Sequence, residues 1–261
     1  MAKIIAVSNQ KGGVGKTTTS INLSASLAAA KRRVLLIDLD PQGNATMGSG
    51  VDKNNLSTSA YDVLMGEREL VDSLVFVEHS NYGLLPGNAD LTGAEVALLD
   101  EFAREMRLQR ALDPVRGDYD YMIIDCPPTL SMLTLNALVA SDGVMVPIQC
   151  EYYALEGLSG LLETIGKIRA ILNSRLELDG LLRTMYDTRN NLSNQVSAQI
   201  IKHFGDKVYG TVIPRNVRLA EAPSHGLPVL LYDKNCSGAL AYLALAGELM
   251  RRDKDYAGKK G

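Results

Sequence analysis

Residues 9–18 read Asn9-Gln10-Lys11-Gly12-Gly13-Val14-Gly15-Lys16-Thr17-Thr18, and this run decides the fold. A glycine-rich turn that closes on Gly-Lys-Thr aims backbone N–H groups at a phosphate and opens a helix. In that geometry Lys16 reaches the β/γ-phosphates of a nucleotide and the Thr17 hydroxyl meets its Mg²⁺. The usual loop has glycine where this chain has Gln10, and a second lysine, Lys11, comes next. So early in the loop, Lys11 is poorly placed to serve the same phosphates as Lys16. It is better placed to reach the phosphates held by a second subunit. The run therefore predicts both a ligand and an assembly.

The flanks supply the context that such a loop needs. Lys3-Ile4-Ile5-Ala6-Val7-Ser8 is a short, β-branched apolar run, the signature of a buried strand. From Thr17 to Ala30 no Gly or Pro interrupts a series that includes Ile21, Leu23, Ala25, Leu27 and Ala28, which predicts a helix. Two carboxylate clusters follow. Val34-Leu35-Leu36-Ile37 reads as a second buried strand with Asp38 and Asp40 at its carboxyl end, where ligands of open α/β sheets collect. One of the two suits a Mg²⁺-bound water and the other an attacking water. Tyr121-Met122-Ile123-Ile124-Asp125 is an apolar strand ending in a carboxylate, which meets the Mg²⁺ shell in phosphoryl-transfer enzymes. Pro127 and Pro128 then stop the strand and fix the direction of the next loop.

The Lys11-to-Thr18 loop, Leu36–Asn44 (LIDLDPQGN), Ile123–Pro128 (IIDCPP), Gln149–Leu158 (QCEYYALEGL) and Val212–Gly226 (VIPRNVRLAEAPSHG) together resemble the ParA-type chromosome-partition ATPases. The short chromosomal form, Soj, is the nearer match. The wider relatives include the division-site protein MinD, the nitrogenase iron protein and arsenite-pump ATPases. The resemblance implies an α/β P-loop NTPase of a single domain, residues 1–252, with a mostly parallel central sheet flanked by helices. Residues 253–261 are expected to form a disordered tail.

It also implies roles. ATP and Mg²⁺ bind at Lys11, Gly12, Gly13, Val14, Gly15, Lys16, Thr17 and Thr18. Lys11, Lys16 and Asp40 act in catalysis, with Asp40 positioning the attacking water, while Thr17, Asp38 and Asp125 support the metal. Met185, Pro214, Arg215 and Asn216 lie where the family holds the adenine. Lys11, Gly12 and Glu151 belong to the interface of an ATP-dependent homodimer. Arg189 and Arg218 match basic positions that bind double-stranded DNA without sequence preference, and Lys202 and Lys207 are added to that surface. Hydrolysis, accelerated by a ParB-like centromere-binding partner, splits the dimer and releases the DNA. The expected location is cytoplasmic and nucleoid-associated.

Composition agrees with one large α/β domain: 261 residues, 46% hydrophobic and 22% charged. Cys126, Cys150 and Cys236 show neither disulfide nor zinc spacing and read as small buried hydrophobes. The three histidines lack ligand spacing. The first apolar run is shorter than the ~7–15 residues of a signal-peptide core, and no stretch approaches the ~18 of a membrane span. With only Met1 and Ala2 before the first strand, operator-specific repression is not expected.

Charge is the awkward feature. A net charge of −3 and a pI near 5.7 are unlike the basic footprint of a nucleic-acid binder. Between Gly180 and Ala220, however, six cations (Arg183, Arg189, Lys202, Lys207, Arg215, Arg218) face two anions, Asp187 and Asp206. A MinD-like membrane ATPase for division-site placement is the alternative, and it requires a lipid-binding amphipathic helix at the carboxyl end. Ala239 to Met250 is rich in small residues, with its cations following rather than interleaved, and reads instead as a helix packed on the domain.

Overall fold

The structure, a computed structural model, describes residues 1–152 and 154–259, with the backbone alone for 155, 156 and 255–259. Tyr153, the side chain of Leu155, and Lys260 and Gly261 of the expected tail lie outside the described residues.

The apolar runs form the centre of an eight-stranded sheet in the order β3-β4-β2-β5-β1-β6-β7-β8. In chain order, β1 (Lys3–Val7) leads through the loop to α1 (Lys16–Ala29), and β2 (Val34–Asp38) to α2 (Asn44–Gly48) and α3 (Ala60–Met65). Then come β3 (Val75–Val77), β4 (Tyr82–Leu85), α4 (Leu91–Ala97), α5 (Arg107–Leu112), β5 (Tyr121–Asp125), α6 (Met132–Ala140) and β6 (Gly143–Gln149). The chain closes with α7 (Ala154–Ile171), β7 (Glu177–Tyr186), α8 (Asn191–Phe204), β8 (Val208–Pro214), α9 (Val217–Glu221), α10 (Val229–Tyr232) and α11 (Ser237–Lys259). Every neighbouring pair is parallel except β3 with β4, so nearly all carboxyl ends share one edge.

Both faces of the sheet are covered, and this is why the inner strands alternate no polar residues. One core packs α3 to α8 on one face, through side chains such as Leu64, Leu112, Leu138, Leu161 and Ile200. The other packs α1, α10 and α11 through Leu23, Leu27, Val229, Tyr242 and Leu249. Cys126 and Cys150 are buried in the first core, as expected of small hydrophobes.

Between Leu91 and Leu112 the chain is helical in two pieces, α4 and α5, separated where Ala103 takes a left-handed φ of 50° that an α-helix cannot contain. Residues 49–80, which carry no strong period, supply α3 and the antiparallel strand β3. The tail expected to be disordered from Asp253 is helical to Lys259, and Asp253 is anchored: its carboxylate accepts from Lys3 Nζ at 2.5 Å and from the Tyr121 hydroxyl at 2.7 Å.

Register sets the site. Asp38 of β2 lies directly beside Asp125 of β5, and Val7, the last residue before the loop, lies on the other side of Asp125. Gly87 passes so close to β2 that a Cβ there would collide with the Asp38 carbonyl, while its N–H donates to Thr46 Oγ1 at 2.9 Å. Gly87→Ala should therefore cost about 1–3 kcal/mol in a denaturant melt through overpacking. Gly117→Ala, at a position with nothing within 4 Å, should stay within about 0.5 kcal/mol. Equal melts for the two variants would contradict the close packing of the Gly87 turn.

Candidate active site

The loop from Asn9 to Gly15 turns through two glycines in the left-handed region, Gly13 at φ 72° and Gly15 at φ 88°. Non-glycine residues rarely adopt such angles, so the glycines are required by the turn itself. α1 then begins at Lys16 with Gly15 as its cap, leaving the first N–H groups of the helix unpaired by any side chain and facing outward. The loop is tied down at several points. Asn9 Nδ2 donates to the Pro147 carbonyl at 2.8 Å, Lys11 N–H to Asn9 Oδ1 at 3.0 Å, and Thr184 Oγ1 to the Val14 carbonyl at 2.7 Å. Val14 itself is 1% exposed and packs inward, so it has only its backbone to offer a ligand, which is the part the loop reading uses.

Beneath the loop sit the two strand-end carboxylates. Asp125 accepts from Thr17 Oγ1 and from Ser20 Oγ, each at 2.8 Å. Asp38 accepts from Thr46 N–H and Oγ1, each at 2.7 Å, and from Asp40 N–H at 3.2 Å. Both carboxylates are fully buried. Burial, and the adjacent charge of Asp38, push Asp125 well above the usual carboxylate range, against the opposing hydrogen bonds from Thr17 and Ser20. Burial raises Asp38 too, offset by its bonds from Thr46. Lys16, nearly buried, is pulled below its ordinary value by desolvation, with Asp125 opposing.

Together these groups form a pocket short of positive charge. Thr17 and Asp125 are hard oxygen donors of the kind Mg²⁺ takes when it binds through one or two protein groups plus waters and substrate phosphates. Among the described residues no three His, Cys, Asp or Glu side chains are grouped so as to hold a metal by themselves. Neither Asp38 nor Asp125 lines the cleft itself: Asp38 accepts from Thr46 and Asp40 as Asp125 does from Thr17 and Ser20, and both stand behind Thr17.

Above the loop opens a cleft of about 660 Å³. Its walls bring together Gly12, Gly13, Gly15, Lys16, Thr17, Thr18 and Asp40 with Met185, Pro214, Arg215 and Asn216, from opposite ends of the chain. Met185 adopts a left-handed φ of 47°, strain of the sort that accumulates at functional sites. Asp40 is held at the wall by the Gln42 N–H, which donates to its Oδ1 at 2.9 Å. The sequence reading missed Gln42, Asn44, Thr184, Leu219 and Tyr242, which also line the cleft. Tyr242 arrives from α11 and shares a 3.1 Å hydrogen bond with Thr19, a contact across 223 positions that no local pattern announces.

Lys11 stays outside this cleft. Its Nζ lies 2.6 Å from Glu151 Oε2 of the same chain, with both side chains roughly half exposed. In the single chain, Lys11 and Glu151, both assigned to the dimer interface, meet each other. An exposed pair of this kind contributes about 0–1 kcal/mol, too little to hold Lys11 against a better anion.

The cationic cluster does not form one surface. Arg183 is buried, donating to Ser197 Oγ and the Tyr209 carbonyl, each at 2.9 Å. Arg189 follows β7, and Arg218 stands at the start of α9 after β8, so both lie at the carboxyl edge. Arg189 is paired with Asp187 at 3.0 Å, and Arg218 with Glu221 at 2.8 Å and Asp233 at 3.4 Å. Because β7 and β8 are parallel, α8 must run back to the opposite edge. Lys202 near its end and Lys207 at the entry to β8 thus lie away from the two arginines, and Lys207 pairs with Glu177 at 3.8 Å.

Sheet, loop and strand-end carboxylates define the class: a P-loop ATPase with an extra lysine ahead of its loop. The sequence model of the AAA domain matches residues 2–178. The sporulation initiation inhibitor protein Soj of Bacillus subtilis is 54% identical over 95% of this chain and 98% of its own. The chromosome partitioning protein ParA of Caulobacter vibrioides is 53% identical over 98% and 97%. Among solved structures, a cobyrinic acid a,c-diamide synthase from Mycobacterium smegmatis with bound ADP and magnesium superposes with a TM-score of 0.86 at 41% identity, covering 97% of this chain and 96% of that one. The chain belongs to the ParA/Soj family of chromosome-partitioning ATPases.

A carboxylate whose folded-state pKa exceeds its unfolded value contributes most at low pH and loses that contribution as pH rises through the folded value. Asp125 is such a group. Asp125→Asn should therefore raise the Tm of the nucleotide-free protein at pH 8 relative to pH 5 by a few degrees more than wild type, while weakening Mg²⁺-dependent nucleotide binding. Calorimetry at the two pH values checks this; an unchanged pH dependence would contradict the upward shift of Asp125 by burial and the neighbouring Asp38.

Proposed function

We propose that this chain works as a nucleotide-timed switch on DNA: ATP and Mg²⁺ join two copies face to face, the dimer holds duplex DNA without sequence preference, and hydrolysis, accelerated by a ParB-like centromere-binding partner, releases it. The observation that carries the reading is the loop itself. Lys16, Thr17 and Asp40 face the cleft, while Lys11 is held outside it on a weak surface pair. The partition names of the relatives support it, at higher identity than the diamide synthase.

In the cleft, backbone N–H groups at the start of α1 cradle the phosphates and Lys16 neutralises their charge. Thr17, with Asp125 behind it, would hold Mg²⁺, which would supply charge neutralisation to the phosphates. Asp40, fixed by the Gln42 N–H, orients the attacking water. Met185, Pro214 and Asn216 wall the base, with Asn216 pinned by its 2.8 Å bond to Ser237 Oγ. Lys11 leaves Glu151 for the partner's phosphates. Dimerisation then doubles a weak DNA surface into useful avidity.

No helix among the described residues is long and apolar enough to cross a membrane. α11 turns Ala239, Tyr242, Leu245, Ala246 and Leu249 into the core, leaving little apolar surface there for lipid.

Duplex binding measured with and without a non-hydrolysable ATP analogue, beside anionic liposomes, tests the reading. The analogue should strengthen DNA binding strongly. Arg189→Ala and Arg218→Ala should each weaken it for any sequence and lower the log–log salt slope by ~0.9 per lost phosphate contact. Liposome binding without DNA binding would overturn the reading in favour of a MinD-like role.

A further inference from the structure

β7 ends in three consecutive residues that tie the two halves of the cleft together. Thr184 is 2% exposed, pairs with Gln149 of β6 and donates its hydroxyl to the Val14 carbonyl at 2.7 Å. Met185 lines the cleft at its left-handed φ of 47°. Tyr186 pairs with Pro214 of β8, which lines the same wall. One strand end, held on both sides by its neighbours, therefore meets the phosphate loop at Thr184 and walls the base at Met185.

The Val14 carbonyl needs a partner of this kind. Among the described residues no backbone N–H donates to it, because the first bond of α1 runs from the Thr19 N–H to the Gly15 carbonyl at 2.9 Å. A planar trans peptide sets the carbonyl of one residue and the N–H of the next on opposite sides. With the Val14 carbonyl turned onto Thr184, the Gly15 N–H faces the other way, and no backbone carbonyl among the described residues accepts from it. Gly15 stands at a φ of 88° and has no side chain to hold that peptide in one orientation. Thr184 supplies the restraint from outside the loop. Its side chain also flanks the turn, since a Cβ on Gly15 would stand 3.9 Å from Thr184 Cβ and Cγ2. Threonine suits the task because its branched Cβ restricts χ1 and so keeps the hydroxyl on the carbonyl.

We propose that Thr184 is a positioning residue of the phosphate site: its hydroxyl fixes the Val14–Gly15 peptide so that the Gly15 N–H is aimed at the phosphates of the nucleotide. Thr184 acts on the phosphates through Gly15 and not by touching them. A donor oriented before the ligand arrives costs no reorganisation when the charge is placed on it. Because Met185 follows Thr184 directly, the element that walls the base is the one that orients this donor, which sets the spacing between the two ends of the nucleotide. The inference rests on nucleotide binding at the loop and is independent of the DNA, the partner and the dimer of the proposed function.

The sequence provides a direct probe. Val14-Gly15 is the only Val-Gly pair in the chain, so full-length protein labelled with carbonyl-¹³C valine and ¹⁵N glycine gives a single carbonyl-filtered amide signal, from this peptide. Thr184→Val, Thr184→Ser and Thr184→Ala are compared with wild type, by that signal without nucleotide and by calorimetric binding of ADP with Mg²⁺. ADP is the probe because the proposed dimer is an ATP state. Thr184→Val and Thr184→Ala should each bind ADP about tenfold more weakly, as when part of one charge-assisted hydrogen bond is lost, and Thr184→Ser should recover most of the affinity. The Val14–Gly15 signal should move in the valine and alanine variants and return toward its wild-type position in the serine variant. A role confined to packing would follow side-chain size instead, leaving valine close to wild type and serine close to alanine. The serine and alanine pair reads the hydroxyl without the valine methyl group. ADP binding by Thr184→Val at wild-type strength, serine grouping with alanine, or a Val14–Gly15 signal indifferent to the hydroxyl would each overturn the proposal.

Discussion

Two carboxylates buried side by side organise this molecule. Asp38 and Asp125 end adjacent parallel strands in register, so their like charges share one dry pocket. Isolated burial of either would cost several kcal/mol, and the surroundings are arranged to offset it. Thr17 and Ser20 of α1 donate to Asp125, while Thr46 of α2 donates twice to Asp38. The same bonds dock both helices on the sheet. The direction of α1, the aim of the loop at its start and the position of Asp40 all follow from neutralising that pair. The residual deficit of positive charge, next to Lys16 and beneath a phosphate-shaped loop, is what a magnesium nucleotide complements.

The two edges of the sheet divide the labour. At the carboxyl edge the chain assembles a cleft from segments as distant as Gly12 and Tyr242, with Lys11 resting at its margin. At the amino edge the ends of α1 and α11 meet, with Arg32 donating to Met250 Sδ. α11 touches both, bonding Thr19 near the loop through Tyr242 and Lys3 at the far edge through Asp253. That anchoring explains why a polar, lysine-rich end that looks like a loose tail stays helical.

Much of this was legible in the sequence, for identifiable reasons. Strands buried on both faces leave uninterrupted apolar runs, so β1, β2 and β5 were readable, and the Gly-Lys-Thr turn named the site between the first two elements. The base-side residues Met185, Pro214 and Asn216 came from family resemblance, and the cleft brings them to the loop. Thr184, Gln42 and Tyr242 were not readable, because each enters the cleft through tertiary packing with no motif around it. Charge counting failed in a specific way. It treated Arg183 as surface, whereas the fold buries it against Ser197 and the Tyr209 carbonyl. It also grouped Lys202 and Lys207 with Arg189, although a parallel crossover sends them to the opposite edge. A sequence window cannot see that a helix reverses direction between two basic residues.

The central claim is that the lysine ahead of the loop works on another subunit's nucleotide. Sedimentation of wild type, Lys11→Ala and Lys16→Ala with a non-hydrolysable ATP analogue, alongside direct nucleotide binding, tests it most directly. The account predicts that wild type dimerises, that Lys16→Ala neither binds nucleotide nor dimerises, and that Lys11→Ala binds nucleotide yet remains monomeric. A Lys11→Ala protein that dimerises like wild type would contradict it.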